Sequence, residues 1–182
     1  MILEQGWDVR IGKHFINSNQ ASMELKPEWG IKLYLYTLMI EQYILEITAE
    51  LSKANNIVIV PHKGPDGDAM GSTLALMHFL KDKGHNANVI APNEYPNFLK
   101  WLPGNDQVII YDESKKLADD IIEKAEIIFT LDFNDLSRCG DMQQALEASE
   151  ATFIMIDHHQ EPANYADYTY SDTSMSSTCE MV

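Results

Sequence analysis

One pattern narrows the folds open to this chain more than any other. Short apolar runs and stretches of helical patterning take turns along most of its length. The runs are Ile57–Val60, Ala87–Ala91, Gln107–Tyr111, Glu126–Leu131 and Thr152–Ile156. Between them lie candidate helices at Ala69–Lys83, Pro96–Leu102, Ser114–Lys124 and Asp141–Ser149. Strands that alternate with helices pair in parallel, and the helices cover both faces of the sheet. The expected fold class is therefore α/β: a mainly parallel, five-stranded sheet with helices on both faces. Lys83-Gly84 and Pro103-Gly104 mark turns between elements, where such a sheet needs them. One more helix precedes the first strand. Ile40, Tyr43, Ile44, Ile47 and Leu51 recur at helical spacing, and the pattern runs out near Asn55-Asn56.

The chain has 182 residues, 45% of them hydrophobic, which is enough for one domain with a sizeable core. Residues 1–38 lack the rhythm and read as an irregular N-terminal extension, with Met39 as an alternative natural start. The domain itself spans 39–182. Ser176-Ser177-Thr178 opens a helix about one turn before Val182, so the domain reads as truncated at its C-terminus. Met1–Ile16 has no basic start followed by an apolar block, and no run is long and apolar enough to span a bilayer. Cys139 and Cys179 are too few for a disulfide framework and are expected to stay reduced. A cytoplasmic protein without a membrane partner is expected. The net charge of −15 disfavours duplex DNA, whose affinity rests on Lys and Arg meeting phosphates. A small phosphorylated ligand held on metal remains compatible with that charge.

Ligands of open parallel sheets bind beyond the carboxyl ends of the strands. Three of the runs end in residues that ligate metals. The first leads into His62-Lys63-Gly64-Pro65-Asp66-Gly67-Asp68, the fourth into Asp132, and the fifth into Asp157-His158-His159. If the strands are parallel, all of these reach one edge. Unpaired, such carboxylates repel by roughly 4 kcal/mol per pair at 4 Å and an effective dielectric near 20. A divalent cation removes that cost. Each motif alone has a plainer reading. An Asp after a strand serves as a helix N-cap, Pro-Asp-Gly makes a turn, and a His pair sits in surface loops. His14, His78 and His85 read as structural or exposed.

Together these residues carry a resemblance. His62 to Ser72, Leu131-Asp132-Phe133-Asn134 and Asp157-His158-His159 resemble the first three motifs of the DHH phosphoesterase superfamily. Asn93 to Gly104 and Ser176 to Glu180 are similar to its nano-RNase and pAp phosphatase branch, the bifunctional oligoribonucleases. The resemblance implies two ions, Mn²⁺ with Mg²⁺ as the alternative. His62 and Asp66 would hold the first, Asp68 and His158 the second, and Asp132 would bridge them. His159 would face the scissile phosphate, and Asp157 would orient the histidine pair. Arg138 would touch a substrate phosphate or make a surface salt bridge. Gly64 stands where the branch commonly has Asn. Two features of the family have no counterpart: a later Asp ligand and a smaller, Gly-rich C-terminal substrate domain. Asp172 lies too soon after Asp157 to replace that ligand.

The function implied is hydrolysis of short single-stranded oligoribonucleotides and 3′-phosphoadenosine 5′-phosphate. The alternatives are a truncated, inactive metal- or nucleotide-binding remnant and a cyclic-dinucleotide phosphodiesterase. A homodimer is also allowed for.

Overall fold

A computed structural model describes residues 8–11, 14–17 and 44–182. In it the central strands are buried on both faces, which is why they read as unbroken apolar runs. On β3 (Asn56–Pro61), Ile57 and Ile59 face one core layer and Val58 and Val60 the other. β6 (Ile127–Leu131) divides its residues in the same way, and β7 (Thr152–Asp157) lies beside it. With β1 at Asp8–Ile11 and β2 at His14–Asn17, the sheet described has eight strands in the order β2-β1-β8-β7-β6-β3-β4-β5. The six from β8 to β5 pair in parallel. The ends of this block are β8 (Tyr168–Ser171) and β5 (Ile109–Ile110), and β4 (Asn86–Ala91) lies between β3 and β5.

Helices close both faces. The α1 helix at residues 44–53 brings Ile47 and Leu51 onto the first layer. Beside it lies α2 (Gly67–Asp82), with Met70, Leu74, Met77 and Leu80 inward. The other layer is covered by α3 (Tyr111–Glu123), α4 (Gln143–Glu147) and the 3₁₀ segment Leu136–Met142. A short last helix, α5, spans Thr178–Met181.

The chain runs from β3 outward through β4 and β5, then returns to place β6 on the other side of β3. The strand order thus reverses between β3 and β6. The position beyond the carboxyl ends at such a reversal is the usual ligand position in these sheets.

All five expected strands form, although the third shrinks to Ile109–Ile110 because Asn105–Gln107 takes a 3₁₀ turn. The helix expected over Pro96–Leu102 is only the 3₁₀ turn Asn97–Leu99. A sixth parallel strand, β8, was not foreseen. Its Tyr-Thr-Tyr-Ser text favours strands through aromatic and β-branched residues but forms no apolar run.

The irregular extension also needs correction. Asp8–Ile11 (β1) and His14–Asn17 (β2) form a hairpin, and β1 adds antiparallel to β8. Asp-Val-Arg-Ile alternates polar with apolar, the signature of a half-buried strand. The rest of residues 1–38, and Ile40 and Tyr43 of the expected helix, lie outside the described residues. Among the described residues no helix is long and apolar enough to cross a membrane.

Candidate metal centre

The turn after β3 supplies His62, Asp66 and Asp68 within one bend. Asp66 caps α2, its Oδ1 accepting from the backbone N–H of Asp68 at 3.0 Å and of Ala69 at 3.1 Å. This cap fixes the carboxylate, since an N-cap residue loses its freedom to turn away. His62 donates Nδ1–H to the carbonyl of its neighbour Lys63 at 2.9 Å, which leaves Nε2 as the free ring nitrogen. That nitrogen lies 4.0 Å from Asp66 Oδ1 and 3.7 Å from Asp132 Oδ2.

Asp132 follows β6 and is 2% exposed. Its backbone is in the left-handed region at φ 66°, and its N–H donates to the carbonyl of Ile156 on β7 at 3.1 Å. The conformation is uncommon for a residue with a Cβ and costs on the order of 1–3 kcal/mol unless the surroundings fix it. It does not cap a helix. That role falls to Asp135, which accepts from Ser137 N–H at 2.8 Å.

β7 delivers Asp157, His158 and His159. Asp157 is fully buried, and its Oδ1 meets His159 Nδ1 at 2.7 Å. His158 faces inward through Nε2, 3.5 Å from Asp132 Oδ1 and 3.6 Å from Asp68 Oδ2. Its Nδ1 points instead at the Met175 carbonyl, 3.4 Å away. Among the described residues Asp157 thus bonds His159, whereas the loop after β8 backs His158.

Two ligand groups result. His62, Asp66 and Asp132 form one, and Asp132, His158 and His159 form another, each offering ligand atoms within 4.8 Å of one another. Asp68 adjoins the second group through His158. The inward nitrogens and the carboxylate oxygens stand 3.5–4.0 Å apart, too far for hydrogen bonds and close enough to share a cation. Each inward imidazole has its other nitrogen turned to a backbone carbonyl, the usual arrangement of a ligating histidine. Mixed imidazole and carboxylate donors fit a divalent metal ion.

The charges have visible effects. The Asp132 carboxylate beside His62 raises the imidazole above its ordinary value, against the opposing pull of burial. For Asp68, burial pushes upward but is outweighed. Hydrogen bonds from Cys179 and Thr178 and the nearby His158 hold the carboxyl below its ordinary range.

Arg138 is an exposed residue of the 3₁₀ segment, and its carbonyl accepts from Lys63 N–H at 2.7 Å. Its backbone therefore borders the site, while its side chain forms no ion pair with a described residue. Asp172 follows β8 but spends Oδ1 on the N–H and hydroxyl of Ser174, at 2.9 and 2.6 Å. His78 and His85 bond the carbonyls of Pro103 and Ala54, as structural histidines do.

Sequence reasoning missed the contribution of α5. Thr178 N–H reaches Asp68 Oδ2 at 2.8 Å, Cys179 N–H reaches Asp68 Oδ1 at 2.7 Å, and Thr178 Oγ1 reaches Asp132 Oδ1 at 2.9 Å. The local signals were the helix start, with Ser177 as its cap, and the branch-like text of Ser176 to Glu180, neither of which gave Thr178 or Cys179 a role in the site.

A parallel α/β sheet whose switch point gathers three histidines and four carboxylates defines a candidate divalent-metal domain. The comparisons with known proteins assign it. Residues 56–182 match the model described as the DHH family, N-terminal domain, and the chain belongs to that family. It is 31% identical over 140 residues to the "Bifunctional oligoribonuclease and PAP phosphatase NrnA" of Thermus thermophilus, a match over 76% of this chain and 39% of the relative. The protein of the same name from Bacillus subtilis is 27% identical over 137 residues, covering 75% of this chain and 40% of its own length. The chain therefore spans about two fifths of the curated relatives it matches. A crystal structure of an exopolyphosphatase-related protein from Bacteroides fragilis superposes with a TM-score of 0.76 at 43% identity, over 78% of this chain and 42% of that one.

Proposed function

We propose that this chain is the metal-binding part of a phosphoester hydrolase. Its substrates would be short oligoribonucleotides, cut to mononucleotides, and 3′-phosphoadenosine 5′-phosphate, cut to AMP. The observation that carries the reading is Asp132. It belongs to both ligand groups, with Oδ2 toward His62 and Oδ1 toward His158. A carboxylate so divided suits a bridge between two ions. Bound there, two divalent ions would activate a water and neutralise charge on a phosphate.

The remaining residues have roles of their own. Asp157 Oδ1 accepts Nδ1–H of His159, which leaves His159 Nε2 for a phosphate oxygen. Arg138, exposed and unpaired among the described residues, would contact a second phosphate. The names of the curated relatives support the choice of substrates. Mn²⁺ is the preferred ion, with Mg²⁺ the alternative, and the proposed setting is cytoplasmic.

A second reading rests on the Bacteroides fragilis structure, which is more similar in sequence than the curated relatives named above and is called exopolyphosphatase-related. It makes a phosphoanhydride the substrate. One assay separates the two. This chain and the full-length Thermus relative, each with Mn²⁺, are offered 3′-phosphoadenosine 5′-phosphate, RNA dimers to pentamers, polyphosphate, pyrophosphate and a cyclic dinucleotide. AMP and mononucleotide release by this chain supports the first reading. Release from polyphosphate or pyrophosphate alone replaces it with the second. We expect this chain to bind metal but turn over well below the relative. Orientation of a bound substrate contributes about 7–11 kcal/mol to catalysis, and the chain covers only 39% of that protein.

A further inference from the structure

We infer that Thr178 is a positioning residue that assigns the two oxygens of Asp132 to different ions. The inference rests on the two-ion reading above.

Thr178 is completely buried. Its hydroxyl lies 2.9 Å from Asp132 Oδ1, and because an ionised carboxylate only accepts, the hydroxyl is the donor. Its backbone N–H donates to Asp68 Oδ2 at 2.8 Å, the oxygen that stands 3.6 Å from His158 Nε2. One residue thus touches both carboxylates that face His158. Neither His62 nor Asp66 bonds to it.

A carboxylate can rotate about its last bond and exchange its oxygens. For most ligands that exchange changes nothing. Asp132 differs because Oδ1 lies 3.5 Å from His158 and Oδ2 lies 3.7 Å from His62, so its two oxygens serve different groups, and only the one on the His158 side receives the hydroxyl. The Thr178 hydroxyl breaks the equivalence by marking Oδ1. A buried β-branched side chain is stiff about its first torsion and holds the donor still. The role is therefore asymmetric: loss of the hydroxyl should loosen the group containing Asp68 and His158 and largely spare that of His62 and Asp66.

The test is a Mn²⁺ titration of the 182-residue chain, with free ion followed by electron paramagnetic resonance. His62→Asn and His158→Asn assign the two affinities to their groups. Thr178→Val keeps the shape and the backbone N–H but deletes the donor. It should weaken the His158 group about 10- to 100-fold, the range seen when a metal ligand loses its hydrogen-bonding partner, and change the other less than about threefold. Thr178→Ser, which restores the hydroxyl, should return the His158 group to within about threefold of wild type. Unchanged binding in the Val variant, or equal losses in both groups, overturns the assignment. If the Val variant melts out at room temperature, Thr178→Ala takes its place. Unfolding of both makes Thr178 a structural residue and overturns the inference too. A wild-type chain that takes up fewer than two ions fails at the earlier step, and the two-ion reading falls with it.

Discussion

The two ligand groups share Asp132 and are otherwise built in opposite ways. His62 and Asp66 stand four residues apart in a single turn and need only the cap of α2 to hold them. The other group draws on Asp68, on Asp132 and on His158 after β7, with α5 tying Asp68 from 110 residues and Asp132 from 46 residues further along the chain. One half is a local motif that happens to meet a distant carboxylate. The other half exists only as tertiary structure. Local geometry survives small disturbances of packing, whereas a group gathered from several elements depends on each of them.

Breaking the shared residue should abolish the distinction. Asp132→Asn keeps size and shape but removes the charge that both groups use. Calorimetric titration with Mn²⁺ is expected to show a loss of more than about 100-fold for each ion, beyond what a lost supporting bond causes. Equal binding in variant and wild type would remove Asp132 from the bridging position.

Breaking the halves separately should expose it. Asp66→Asn still caps α2, because asparagine accepts the same backbone bonds. Its effect should fall on the first ion alone. Asp68→Asn should weaken the second ion and also lower stability, by about 1–3 kcal/mol, because its oxygens receive two backbone N–H groups that would face a neutral amide. Urea unfolding of both variants in the absence of metal checks this contrast.

Acidity sharpens the same comparison. Without metal, His62 titrates above the ordinary 6.5 because the protonated ring pairs with Asp132. The stability it contributes is fully present below pH 6.5 and is lost as pH rises through its raised value. Asp68 titrates below the ordinary 3.8, so its contribution is present above that pH and is lost as pH falls through the lowered value. A melting profile of the metal-free chain should therefore decline on the alkaline side in wild type but not in His62→Gln. Metal binding opposes protonation of His62, so affinity at the first group should rise over that window and level off above it.

The smallest effect is expected from the edge of the sheet. β1 meets β8 through only Val9↔Tyr170 and Arg10↔Thr169. At about 1 kcal/mol per hydrogen bond, deleting residues 1–17 should cost about 2 kcal/mol in urea unfolding and leave Mn²⁺ binding unchanged. A larger loss would show that the hairpin supports the site from a distance.

This difference in construction also marks what could be read from the sequence. The strands β3, β4, β6 and β7 were legible because burial on both faces leaves little room for polar residues in runs such as Ile57–Val60, and β5 through its two isoleucines. His62, Asp66 and Asp68 were legible because their spacing is local. Asp132 and His158 were legible only through the parallel topology that brings strand ends to one edge. β8 and the hairpin were not, since their Tyr, Thr, Ser, Arg and Asp residues break up any apolar run. The clamp of Thr178 on Asp132 and Asp68 was hidden for another reason. A hydroxyl that matters through one contact 46 residues away looks locally like any threonine after a helix cap.

The order of the strands also sets a clock. During synthesis, His62 and Asp66 leave the ribosome with the turn that arranges them, but Asp132 can join them only when β6 returns to the open side of β3. Thr178 follows Asp68 by 110 residues. At about 5–20 residues per second, roughly 5–20 s pass between them. For that interval the nascent chain carries a half-built cluster of carboxylates with nothing to hold its second half. A cell that loads metal during translation would fill the local group first, and the pair would be complete only when the last helix seats.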